Sequence, residues 1–117
     1  CQASPKEHDK AVSLISHLPI FLASTLIETA YTKNNKSLLD LTQMLAATGF
    51  ADTSRVGGGN EKLGLDLAMN NRINVLYAIN NFKNNLNTLE SLIKEKNWDL
   101  LSKKLAEAKE IREKFIN

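Results

Sequence analysis

From Asn60 to Lys96 the apolar residues Leu65, Met69, Ile73, Leu76, Ile79, Phe82, Leu86, Leu89 and Ile93 recur every three or four positions. That interval follows the 3.6-residue turn of an α-helix, so these side chains form one seam along a single long rod. At ~1.5 Å per residue the rod would be about 50 Å long. A domain of 117 residues cannot bury that length by itself. The seam therefore calls for other helices or a second chain, and it reads as core or dimer interface rather than as a cofactor box. Asparagine is frequent between Asn70 and Asn97. It is a weak helix former, which increases the dependence on packing. Its enrichment follows no motif spacing and reads as codon bias of an AT-rich genome.

The remaining segments are helical as well. Ser4-Pro5-Lys6-Glu7 carries a capping residue, a proline suited to the first helical position and a glutamate that completes a capping box. Ala11, Ile15, Leu18, Leu22 and Leu26 follow at helical spacing, and Leu14 and Phe21 widen the stripe to a second face. A helix apolar on two sides needs two partners, or a partner chain. Pro19 sits inside this pattern, leaves the Ile15 carbonyl without its usual donor and should bend the helix. Thr32 to Asn35 predicts a break. A shorter helix is expected over 37–47, with Leu38, Leu41 and Leu45 on one face and Gly49 ending it. Residues 50–59 have no clear period and are expected to form a loop. Asn60 should cap the long helix, with Glu61 in its first turn. Asn97 should cap a last one with a buried stripe of Leu101, Leu105, Ala108, Ile111 and Phe115, and a Glu110–Lys114 pair outside. No segment alternates at period two, so the fold class is all-α.

Composition narrows the function. The net charge is only +2, with three arginines, Arg55, Arg72 and Arg112. That is no nucleic-acid footprint, and the lysines of the last helix are interleaved with Glu107, Glu110 and Glu113. The one cysteine, Cys1, allows no internal disulfide and fits a reducing, cytoplasmic setting. No apolar run is expected to reach the ~18 residues of a membrane span. The chain lacks a signal-peptide layout and an initiator methionine, so it is expected to be a piece of something longer.

Two short segments stand out from this plain helical background. In Ser16-His17-Leu18-Pro19 a histidine lies beside a helix breaker; it is either a pocket residue or a core histidine satisfied by the backbone. In Gly49-Phe50-Ala51-Asp52-Thr53-Ser54-Arg55, an arginine leads into Gly57-Gly58-Gly59 and the start of the long helix. A guanidinium, free backbone N–H groups and a helix N-terminus would together favour a carboxylate or phosphate; the alternative is a flexible surface loop. The loop is neither a Walker A motif nor a dinucleotide fingerprint. His8 and His17 are nine residues apart, which is not a metal-ligand spacing. Asp52 and Asp66 are better read as a cap and a solvated helix residue than as a carboxylate pair.

These two segments resemble the C-terminal helical half of prephenate and arogenate dehydrogenases. The family's His-Asp and Ser-His-Leu-Pro-His appear here as His8-Asp9 and Ser16-His17-Leu18-Pro19-Ile20, and its Gly-Phe-x-Asp-Thr-Thr-Arg as Gly49 to Arg55. Asp66 and Asn71 match an acidic residue and an asparagine on the next helix. The stretch Arg55 to Asn60 looks most like cyanobacterial arogenate dehydrogenases. The resemblance implies a helical dimerisation domain like the C-terminal domain of 6-phosphogluconate dehydrogenase-like enzymes. It implies oxidative decarboxylation of arogenate to tyrosine, or of prephenate to 4-hydroxyphenylpyruvate, with NADP or NAD held by an N-terminal Rossmann domain outside this chain. The catalytic histidine would lie there too, so this fragment would be inactive alone. By position, Arg55 would bind a substrate carboxylate and His17 would line or brace the pocket, with Ser16 and Thr53 as polar neighbours; His8 would be structural. Two positions depart from the pattern. Ile20 replaces the second histidine, which removes a polar contact and favours arogenate. Gly64 replaces a tryptophan. The expected partners are the substrate and a second copy, with no nucleic acid and no membrane. The competing reading is a non-enzymatic helical interaction module, which leaves Arg55 and the glycines without a role.

Overall fold

The computed structural model describes residues 3–116. Among them there is no strand. Seven α-helices run α1 (Pro5–Val12), α2 (Leu18–Ala30), α3 (Lys36–Leu45), α4 (Thr48–Ser54), α5 (Glu61–Asn70), α6 (Arg72–Lys94) and α7 (Trp98–Phe115). A π turn, Ser13–His17, joins α1 to α2, and a 3-10 turn, Arg55–Gly58, follows α4. The chain forms two compact units, Cys1–Ile79 and Asn80–Asn117.

In the first unit, Ser4 and Glu7 form the expected capping box, the Ser4 hydroxyl accepting from the Glu7 N–H at 3.1 Å. The disturbance expected at Pro19 takes the form of the π turn. The Leu18 N–H reaches back five residues to the Ser13 carbonyl. This widened turn puts Pro19 into the first turn of a restarted helix, where its fixed φ suits the backbone. The rod Pro5–Ala30 taken whole is long and apolar enough, by length and composition alone, to cross a membrane, which corrects the expectation of no such run. Part of it is packed against protein: α4 and the 3-10 turn lie on α2, and α5 lies on the π turn, while 17% of the apolar window is buried.

Residues 50–59 are not a loop. Gly49 does not end α3, which stops at Leu45; it lies inside α4, as does Asp52, which is therefore no cap. The Thr53 and Ser54 hydroxyls donate to the Gly49 and Phe50 carbonyls at 2.8 and 2.6 Å. So short a helix carries no legible period, and its packing on α2 sets its conformation. Gly57 shows how close that packing is. A Cβ there would meet the backbone of Ala23 and Ser24 at 2.7 Å.

The single rod expected from Asn60 to Lys96 is in fact α5 and α6, divided at Asn71 (φ −127°, ψ 35°). The backbone ladder still crosses the division, from Asn71 N–H to the Leu67 carbonyl and from Val75 N–H to the Asn71 carbonyl. The division is therefore a kink. Asn60 caps α5 as expected, its side chain accepting from the Lys62 N–H at 2.8 Å.

In the second unit, α6 ends with Lys96 at φ 57° and an Asn97 N–H bond to the Leu92 carbonyl, a left-handed terminus more often built on glycine. Asn97 caps α7. The stripe on α7 is uncovered rather than buried: Leu105, Ala108 and Ile111 are exposed, and Phe115 is 73% exposed. Glu110 and Lys114 are not among the ion pairs of the described residues.

Gly57→Ala is expected to destabilise the fold by about 1–3 kcal/mol, because the new methyl group must displace rigid backbone. Gly58→Ala, with nothing within 4 Å, should change stability by less than about 0.5 kcal/mol. Paired denaturant titrations read the difference.

Candidate functional site

The π turn buries His17, which is 8% exposed, and seats it against the kink between α5 and α6. The Asn71 side-chain amide lies 3.3 Å from His17 Nδ1 and donates to the Asp9 carbonyl at 2.9 Å. Its oxygen accepts from the Asn74 amide at 2.8 Å. One asparagine thus ties the end of α1, the π turn and the start of α6 together. Lys10 adds a second tie, its ammonium 4.3 Å from the centroid of the Tyr77 ring. Sequence reasoning reached Asn71 only through a family pattern and assigned it no role.

Arg55 opens the 3-10 turn, is exposed and makes no ion pair among the described residues. Thr53 is exposed, and its hydroxyl proton is committed to the Gly49 carbonyl. Ser16 is exposed beside His17. No hydrogen bond or ion pair links Arg55 to His17, Ser16 or Thr53. What brings the two segments together is α2. His17 immediately precedes it, and Gly57, two residues beyond Arg55, touches it at Ala23, about 9 Å further along the axis.

The glycines do not form an open cradle. None has positive φ among the described residues, Gly57 is closed off by α2, and the first N–H groups of α5 are partly taken by Asn60. Beside them lies a cavity of about 260 Å³ lined by Ile20, Phe21, Val56, Gly57, Leu63 and Gly64, among others. The two departures from the family pattern meet here. A Cβ on Gly64 would sit 3.8 Å from Ile20 Cγ2 and 4.0 Å from Phe21 Cε1. A second, apolar groove of about 460 Å³ lies between α2, α3 and α4, with Ile27, Tyr31, Leu39 and Phe50 in its walls. Among the described residues no three His, Cys, Asp or Glu side chains gather as a metal ion would require.

Residues 4–107 match the family described as prephenate dehydrogenase, dimerization domain. The chain is 32% identical over 110 residues to the prephenate dehydrogenase of Lactococcus lactis, and 25% identical over 112 residues to that of Bacillus subtilis. It spans only about 30% of the length of either relative. Among solved structures it is similar to Synechocystis arogenate dehydrogenase, with a TM-score of 0.94 and 37% identity over 97% of this chain and 41% of that one. It is also similar to the prephenate dehydrogenase of A. aeolicus, crystallised with hydroxyphenyl propionate and NAD+, with a TM-score of 0.85 and 30% identity over 97% of this chain and 39% of that one.

Asn71→Ala removes the donor to the Asp9 carbonyl and to His17 together, while the Asp9 carbonyl keeps the Ser13 N–H. A loss of about 0.5–1.5 kcal/mol is expected in thermal or urea unfolding, the net worth of a hydrogen bond.

Proposed function

The chain belongs to the prephenate dehydrogenase dimerization-domain family, and we propose that it is the C-terminal, substrate-binding and dimerising part of a longer arogenate or prephenate dehydrogenase. The observation that carries this reading is the packing on α2. It holds both segments on one helix: His17 in the π turn at its start, and the Arg55-bearing turn against Ala23 and Ser24. In this reading Arg55 presents its planar guanidinium to a substrate carboxylate, a match of two parallel N–H donors to two oxygens. Ser16 supplies a hydroxyl, and Thr53 an oxygen acceptor. The task of the chain is to bind and orient the substrate.

Ile20 turns an apolar surface into the cavity beside the Arg55 turn, which supports arogenate over prephenate. The chain does not fit a dinucleotide. Among its described residues there is no strand, and Gly57 is closed against α2, which supports NADP or NAD being held mainly by an N-terminal domain outside this chain. No chemical step is assigned to residues here.

The exposed seam supports a homodimer. Leu65, Met69, Ile73 and Leu76 lie open along α5 and the first turns of α6. The same face would suit a general interaction module, and here it becomes the self-association face. Absence of nucleic-acid or membrane partners and a cytoplasmic location belong to the same proposal. The balanced charge of the chain supports the absence of nucleic acid, and the packing of α4 and the 3-10 turn on α2 supports the absence of a membrane.

Full-length protein carrying this chain is expected to oxidise arogenate faster than prephenate with NADP or NAD. Arg55→Ala should raise KM on the order of ten- to a hundredfold, the worth of a charge-assisted hydrogen-bond pair, and leave folding stability within about 0.5 kcal/mol. A preference for prephenate would overturn the substrate assignment. Turnover of neither substrate by folded protein would favour the interaction module.

A further inference from the structure

The contacts of Asn71 fix more than backbone geometry. A carbonyl oxygen can only accept, so the group of Asn71 that faces the Asp9 carbonyl at 2.9 Å must be its NH2. The Asn74 amide donating to the Asn71 oxygen agrees with that assignment. The same NH2 lies 3.3 Å from His17 Nδ1. An NH2 has no lone pair to offer, so a proton on Nδ1 would have no acceptor there. We infer that Asn71 is a positioning residue that holds His17 as the neutral tautomer protonated on Nε2, and so keeps an N–H donor ready for an acceptor oxygen of the bound substrate.

Three observations point the same way. Nε2 makes no hydrogen bond among the described residues and is not sealed from solvent, although the residue as a whole is only 8% exposed. A histidine with one ring nitrogen tied down and the other unused is set to act as a single directed donor. The ring sits in a π turn, a costly local geometry that recurs at functional sites. The hold comes from across the fold, 54 residues along the chain, and its own orientation is fixed at both ends by Asp9 and Asn74. The role of the donor rests on the reading of His17 as a pocket residue; the tautomer does not.

The test uses the full-length protein labelled with 15N in its histidine rings. The His17 signals are assigned by their loss in His17→Gln. Long-range 1H–15N spectra are expected to show Nδ1 without a proton and Nε2 carrying one. Addition of arogenate without the nucleotide cofactor should move the Nε2 resonance and leave Nδ1 little changed. Asn71→Asp puts a carboxylate acceptor where the donor stood and should transfer the proton to Nδ1. With it, kcat/KM should fall on the order of ten- to a hundredfold, mainly through KM. A protonated Nδ1 in the unsubstituted protein would overturn the inference, and that spectrum needs no variant to fold. If Asn71→Asp does not fold, the spectrum of the unsubstituted protein decides alone, because the Asp9 carbonyl by itself fixes which end of the Asn71 amide faces Nδ1. A flipped tautomer with unchanged kinetics would leave the hold of Asn71 intact and remove His17 from the pocket.

Discussion

Burial of apolar surface is what this chain achieves least within itself, and the rest of its structure follows from that. Ala23, Val75, Ala78 and Leu92 are the buried apolar side chains among the described residues. Small alanines cannot replace the stabilisation of a leucine or phenylalanine core, at about 25 cal/mol per Å² of apolar area removed from water. Meanwhile Ile73 is 77% exposed, and Met44, Leu45, Leu63, Leu65 and Met69 are exposed within the first unit. Such surface is costly in water unless something covers it. In the proposed homodimer, a second copy covers it.

Within the first unit, order comes from close contacts of small and polar groups rather than from large side chains. Gly57 lets the 3-10 turn lie directly on the α2 backbone. The π turn absorbs Pro19 and turns His17 inward. Asn71 then ties His17 to the end of α1. Each of these features departs from a regular helix, and each holds one of the two motif segments. The irregularities lie beside the candidate site residues: His17 and Ser16 are in the π turn, and Gly57 is two residues from Arg55.

Much of this was legible in the sequence. Periodicity gave the all-α class, and Ser4, Asn60 and Asn97 gave three helix starts through their capping chemistry. Long-range contacts were not legible. The expected loop at 50–59 is helical because it packs on α2, a contact that no local period encodes. The long rod is kinked because the Asn71 side chain finds partners 54 and 62 residues away. Within the asparagine-rich stretch, Asn71, Asn74 and Asn97 each make a defined side-chain hydrogen bond. The stripes on α3 and α7 were found at the right spacing, but Leu38, Leu41, Leu45, Leu105, Ile111 and Phe115 are exposed. Spacing shows that a face is apolar and does not show which chain covers it.

Sedimentation velocity on the full-length protein tests that covering most directly, with Ile73→Glu run beside it. A dimer persisting to below about 1 µM, weakened by the buried charge in the variant, is the predicted result. A monomer at tens of micromolar (about −6 kcal/mol or weaker) would contradict the claim that a second copy closes this core.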